Sequence, residues 1–174
     1  DQRTAQNQLQ RRAELERLIV EISTGFIDTP LENLDESIEN ALGKIGSFVE
    51  ADRSYVFLYD GDPENAPLSE VTTTNTHEWC AQGIRSEKES LQKTPCSELP
   101  WWTEQMCGGE PVIVPSVANL PKEAAAVQET LEAQDVQSLV ALPMTQDQRL
   151  IGFVGFDAVT SGDEWDPETI TVLR

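Results

Sequence analysis

The sequence predicts an α+β domain on a mainly antiparallel sheet, and three observations carry that prediction. Apolar residues recur at helical spacing near both ends, and two pairs of extended segments are each joined across a turn signal. The remaining helices are short and lie between those pairs. Strands paired through hairpins, with helices gathered around them, give a segregated α+β layout rather than an alternating parallel one. The 174 residues suffice for one domain with a hydrophobic core.

Residues 1–14 are polar and glutamine-rich, with Ala5, Leu9 and Ala13 as the apolar positions. They are expected to be helical without a full face to bury, and so to act as a linker from an upstream domain. Residues 15–174 are expected to form the domain itself. Leu15, Leu18, Ile19, Ile22 and Phe26 fall at helical spacing, predicting one helix to about Ile27 whose second half packs. The heptad is not sustained for three repeats, so a coiled coil stays open as an alternative.

Thr29-Pro30-Leu31-Glu32 offers a capping side chain, a proline for the first helical position and a reciprocal acid. The stripe Leu31, Leu34, Ile38, Leu42, Ile45 and Val49 then predicts a second helix. Arg53-Ser-Tyr-Val-Phe-Leu-Tyr-Asp60 reads as a strand ending in the turn Asp60-Gly61-Asp62-Pro63. The threonine-rich stretch from Glu70 to Trp79 should pair with it as a hairpin. Residues 86–100 lack a period and contain two prolines, predicting a loop with one helical turn at most.

Trp101 to Cys107 predicts a short helix stopped by Gly108-Gly109, and Pro111-Val-Ile-Val-Pro115 an edge strand confined by its prolines. A helix is expected from Pro121 to Gln134. Residues 138–144 and 150–156 flank the polar turn Gln146-Asp147-Gln148 and form the best hairpin in the chain. Asp166-Pro167-Glu168 opens a last helix that runs off the end in mid-pattern. The chain does not start with methionine, and both ends read as helices cut from a longer protein.

Twelve basic side chains against 31 acidic ones give a formal charge of −19. A nucleic-acid binder needs clustered lysine or arginine to displace counterions from phosphates, and this chain has no such cluster. The same sign disfavours an anionic membrane surface. No apolar run approaches a membrane span, and no secretory leader is visible. Cys80, Cys96 and Cys107 contain no Cys-x-x-Cys pair, and with the single His77 they make a poor zinc site. A reduced, cytoplasmic setting is expected, with no metal and no cofactor.

The segment Asn75-Thr-His-Glu-Trp-Cys-Ala-Gln-Gly-Ile84 and the motifs Leu99-Pro-Trp-Trp102, Gly109-Glu-Pro-Val-Ile and Gln137-Ser-Leu-Val-Ala-Leu-Pro143 recur in one family pattern, with Leu150-Ile-Gly-Phe-Val-Gly-Phe-Asp157 and Trp165 after them. Over residues 15–174 the chain resembles the GAF domains of bacterial multidomain histidine kinases and diguanylate cyclases. The resemblance implies a six-stranded, mainly antiparallel sheet with the terminal helices on one face. Loops and short helices would cover a small-molecule pocket on the other. It also implies a sensory, non-enzymatic module, dimerising through its terminal helices to control an output domain.

Within that expectation Trp79, Cys80, Trp101, Trp102 and Ser138 are the candidate ligand-binding residues, with no catalytic residue among them. The tryptophans suit an aromatic wall that stacks on a ligand, or equally core filling between sheet and cover. The cysteines support a rival reading, because some GAF proteins reduce free methionine sulfoxide with pocket thiols. Their spacing departs from that pattern, and buried or incidental thiols are the plainer account. A bilin attached at a Cys-His dipeptide is not supported, since the cysteines precede Ala81, Ser97 and Gly108. The cyclic-nucleotide motif of the family is missing, and a haem would rest on His77 alone. The acidic clusters read as a solvated helix face and as cap and turn chemistry. A spacer that dimerises without a ligand is the remaining alternative.

Overall fold

Amphipathic spacing at the amino-terminal end produces two packed helices, α1 (Gln2–Ile27) and α2 (Leu34–Phe48). The computed structural model describes residues 2–27, 30–160 and 165. The expected cap at Thr29 and the helix from Asp166 lie outside the described residues. Leu15 is fully buried and Leu18, Ile19 and Ile22 are half-buried, whereas Leu9 is 68% exposed, so the apolar stripe of α1 packs from Leu15 onward. The contact with the rest of the chain nevertheless begins inside the expected linker. The Arg11 guanidinium lies over the Phe48 ring at 5.3 Å and donates to the Phe48 carbonyl at 3.1 Å.

The second helix starts later than its sequence pattern. Pro30 is extended (φ −60°, ψ 147°) and precedes a single 3₁₀ turn over Leu31–Asn33, so it does not occupy the first helical position. Leu31 is accordingly 88% exposed and drops out of the apolar stripe, which buries Leu42 and Val49 instead. A proline held in the extended region fixes the chain one turn before the α-helix begins.

Six strands follow: β1 (Arg53–Asp60), β2 (Thr72–Cys80), β3 (Thr94–Pro95), β4 (Val112–Val114), β5 (Ser138–Gln146) and β6 (Arg149–Ala158). They form one sheet in the order β3-β2-β1-β6-β5-β4 with every pairing antiparallel. Two further, short α-helices lie among the described residues, α3 (Pro100–Cys107) and α4 (Ala125–Ala133). The fold is α+β on a six-stranded antiparallel sheet, the arrangement that the resemblance implies. The two-residue β3 was expected as loop; Thr94 and Pro95 lack any strand period and are held by pairing with Thr73 and Thr72. The β5–β6 turn places both Asp147 (φ 52°) and Gln148 (φ 65°) in the left-handed region, the geometry that matches strand twist in a two-residue hairpin.

Alternation sorts side chains to two faces. Ser54, Val140, Leu142 and Phe156 face α1 and α2, with Val49 and Ala51 completing a small apolar cluster there. Tyr55, Phe57, Leu139, Ala141 and Phe153 face the other way, under α3 and α4, in the larger core. Between Val56 and Phe57 the β1–β2 register shifts: Val56 opposes His77, but Phe57 opposes Asn75. Thr76 is the extra residue of this β-bulge, and beyond it each side chain of β2 changes face. The Asn75 amide, turned to donate to the carbonyls of Val56 (3.2 Å) and His77 (2.8 Å), holds the bulge.

Candidate functional site

Between the sheet and the cover formed by α3, α4 and the loop after β2 lies a cavity of about 80 Å³. Its aromatic side is a connected set. Phe57 and Phe153 stack at 4.8 Å, Tyr55 meets Phe57 edge-on at 5.4 Å, and Trp102 meets Phe153 edge-on at 5.4 Å. Trp102 arrives there because Pro100 opens α3 and the helix turns Trp102, Thr103 and Met106 inward.

The polar end is built from strand ends. Arg53 begins β1, opposite Asp157 on β6 and Cys80 on β2. Its guanidinium is 2% exposed and donates to the carbonyls of Gln134 (2.7 Å) and Arg85 (3.3 Å). Gln134 caps α4, so a cation sits where that helix leaves its carbonyls unpaired. Glu87 and Asp157 lie 3.5 and 3.6 Å from the same guanidinium. Tyr55 donates its hydroxyl to Asp157 at 2.6 Å. Gly155 permits this reach, since a Cβ there would collide with the Tyr55 ring. Burial pushes the Asp157 carboxyl up to about 7, against the pull of the Tyr55 hydroxyl and Arg53. The Tyr55 hydroxyl is raised well above its usual range, by burial first and by Asp157 second.

Of the five residues singled out in the sequence, Trp102 lines the cavity. Trp101 is half-buried against the same core but does not line the cavity. Trp79 lies on the opposite face of the sheet, paired with Ser54 and seated over Gly43 and Gly46 of α2. A Cβ at Gly46 would come within 2.8 Å of the Trp79 ring, and one at Gly43 within 2.9 Å. The bulge at Thr76 put it there. Ser138 also points to the helix side, where its buried hydroxyl has no partner among the described residues. Cys80 sits beside the polar end, and its thiol donates to Glu78 at 3.4 Å.

Burial and the Glu78 carboxylate push the Cys80 thiol up to about 12. Cys96 and Cys107 are also raised, chiefly by burial. A raised thiol is a poor nucleophile at neutral pH. His77 is tied by its ring nitrogens to Asp35 (2.8 Å) and Thr76 (2.9 Å), on the helix side of the sheet. Among the described residues no His, Cys, Asp and Glu cluster could hold a metal ion. No described helix is long and apolar enough to cross a membrane.

The sequence reading missed Arg53, Tyr55, Glu87 and Asp157. A signal existed: Arg53 and Asp157 are charges at the ends of otherwise apolar strands, Tyr-Val-Phe-Leu and Gly-Phe-Val-Gly-Phe. Such a charge on an inward parity demands a buried partner.

A sequence model of the GAF domain matches residues 33–174. The methanogenesis regulatory histidine kinase FilI of Methanothrix harundinacea (strain 6Ac) is 30% identical over 146 residues, which are 82% of this chain and 15% of that protein. The chain thus spans under a sixth of the length of that relative. Among solved structures, the far-red absorbing dark state of JSC1_58120g3 with bound biliverdin superposes with a TM-score of 0.67 at 18% identity, over 91% of this chain and 90% of that one. The blue-light absorbing form of the Thermosynechococcus elongatus PixJ GAF domain gives 0.60 at 19% identity, over 76% and 73%. At these identities the structural likeness concerns the fold.

Proposed function

The chain belongs to the GAF domain family, and from that premise we propose that it is the sensory module of a signalling protein, holding a small molecule in the cavity under Trp102. The observation that carries this reading is the asymmetry of the sheet. One face encloses a cavity with aromatic walls and buried charges, while the other packs against α2, which in turn carries α1. A ligand biases those helices only through unequal affinity for two of their arrangements. The similarity to FilI supports a histidine kinase as the output domain.

The module acts by binding rather than catalysis, and its raised thiols speak against the methionine sulfoxide reductase alternative. Free cysteines and the absence of a described membrane-spanning helix fit a cytoplasmic setting. A cavity of about 80 Å³ falls well below the roughly 300 Å³ at which drug-sized pockets begin. It suits a compact metabolite rather than a tetrapyrrole such as the one held by JSC1_58120g3.

Homodimerisation through the terminal helices belongs to the same reading, since α1 keeps Leu9 and Val20 exposed. A thermal-shift screen of small metabolites on the chain, run beside Leu91→Trp to fill the cavity, tests the ligand site. A compound that stabilises the wild type alone supports it; equal stabilisation of both proteins puts the ligand elsewhere. Sedimentation of Leu9→Glu tests the dimer, which is expected to weaken.

A further inference from the structure

Resting on the reading of this cavity as a ligand site, we infer that its occupant is a compact organic cation of the alkylammonium class. The acidic side chains that border the cavity are Glu78, Glu87 and Asp157, the last held part-protonated by burial, against one guanidinium, Arg53. Arg53 is already engaged by two carbonyls and by Glu87 and Asp157. Glu87 is shared further with Arg85, at 2.8 Å.

Glu78 makes no ion pair among the described residues. It is held in place by neutral donors instead: the Ser86 hydroxyl, the Glu87 amide at 3.2 Å and the Cys80 thiol at 3.4 Å. A carboxylate fixed at a cavity wall without a cation leaves a charge for the ligand to match. An anionic ligand would meet the Glu78 and Glu87 carboxylates, and of the Arg53 guanidinium only the Nε–H lacks a hydrogen-bond partner, 3.6 Å from Asp157.

Two independent features agree. Thr73 is 9% exposed, lines the cavity and carries a hydroxyl with no partner among the described residues. A buried hydroxyl left unpaired is a standing cost that a ligand hydroxyl or N–H removes. Part of the remaining wall is aromatic, with Tyr55, Phe57, Phe153 and Trp102, and aromatic faces attract cations once water is excluded. A fixed carboxylate, an aromatic wall and one spare hydroxyl together fit a cation with a small polar tail.

Isothermal titration calorimetry with choline tests this directly, with tetramethylammonium as the bare cation. The neutral isostere 3,3-dimethyl-1-butanol has the same shape without the charge, and acetate supplies the opposite charge. The expected result is choline binding at least tenfold tighter than 3,3-dimethyl-1-butanol, no binding of acetate, and at least a tenfold loss for choline in Glu78→Gln. Equal binding of the alcohol, preference for acetate, or no heat from any probe would overturn the cation. Binding of the alcohol or acetate would leave the small-molecule reading intact, so the two fail separately. The wild-type comparison needs no variant, and Glu78→Gln keeps an acceptor for Ser86 and Glu87.

Discussion

The two faces of the sheet are packed by different means. On the helix side the contacts are apolar and close: Trp79 lies where Gly43 and Gly46 remove the side chains of α2, and Phe156, Val140 and Leu142 fill the rest. On the cavity side a buried arginine, a buried aspartate and a buried tyrosine hydroxyl share a few ångströms, under short helices and a loop. Close apolar packing has no slack and moves as a block. A charged cluster under a thin cover has unsettled electrostatics that a ligand can change. On the proposed reading, the cavity face is the one that a molecule sets and the helix face the one that transmits the result.

The largest effect is expected from breaking the charged cluster. Arg53→Ala leaves Asp157 without its counter-ion and two carbonyls without a donor, and should cost about 3–5 kcal/mol in denaturant unfolding. The apolar pair Arg53→Met with Asp157→Leu should recover much of that loss. A recovery no better than the single variant would mean that the cluster is not a unit.

Gly46→Val attacks the opposite face. Its side chain would collide with the Trp79 ring and Ser54, and a loss of about 1–3 kcal/mol is expected. Trp79→Leu in the same chain should soften the penalty; an unchanged penalty would place the strain in α2 alone.

The bulge explains why this packing was hidden in the sequence. The strict alternation of Thr73, Asn75, His77 and Trp79 puts all four on one face, and one extra residue at Thr76 sends the last two to the other. Bulges leave no periodic trace, so Trp79 read as a pocket residue. Helices and hairpins were legible because apolar spacing and turn residues encode them locally, as in Leu150–Phe156 and its partner strand. The charged cluster joins positions 53, 87, 134 and 157, and no local pattern connects those. Trp102 was legible because its helix is announced by Pro100 and ended by two glycines.

Asp157 gives the cavity face a pH signature. Its carboxyl rises from an unfolded value near 3.8 to about 7 when folded, so the folded chain holds the proton more firmly. That contribution is complete below about 4 and is lost as pH rises through about 7. Wild type should therefore lose stability relative to Asp157→Asn across that interval, by on the order of 1 kcal/mol or more. The groups facing it are Arg53 and Tyr55 on β1, Glu78 on β2 and Asp52 just before β1. Parallel pH curves for the two proteins would remove Asp157 as the source.

The smallest effect is expected at the rim of the helix face. His77 and Asp35 tie β2 to α2 at 2.8 Å, but the Asp35 side chain is 89% exposed. His77→Gln should change stability by less than about 1 kcal/mol in thermal unfolding. A larger loss would show that this contact, rather than the Trp79 packing, joins helix to sheet.

The central claim, that the face under Trp102 holds a small molecule, is tested most directly by native mass spectrometry of the purified domain against its denatured mass, with Leu91→Trp alongside. The account predicts a reproducible excess mass on the native wild type that the filled-cavity variant lacks. The same excess on both proteins, or a bare mass on the wild type, would contradict it.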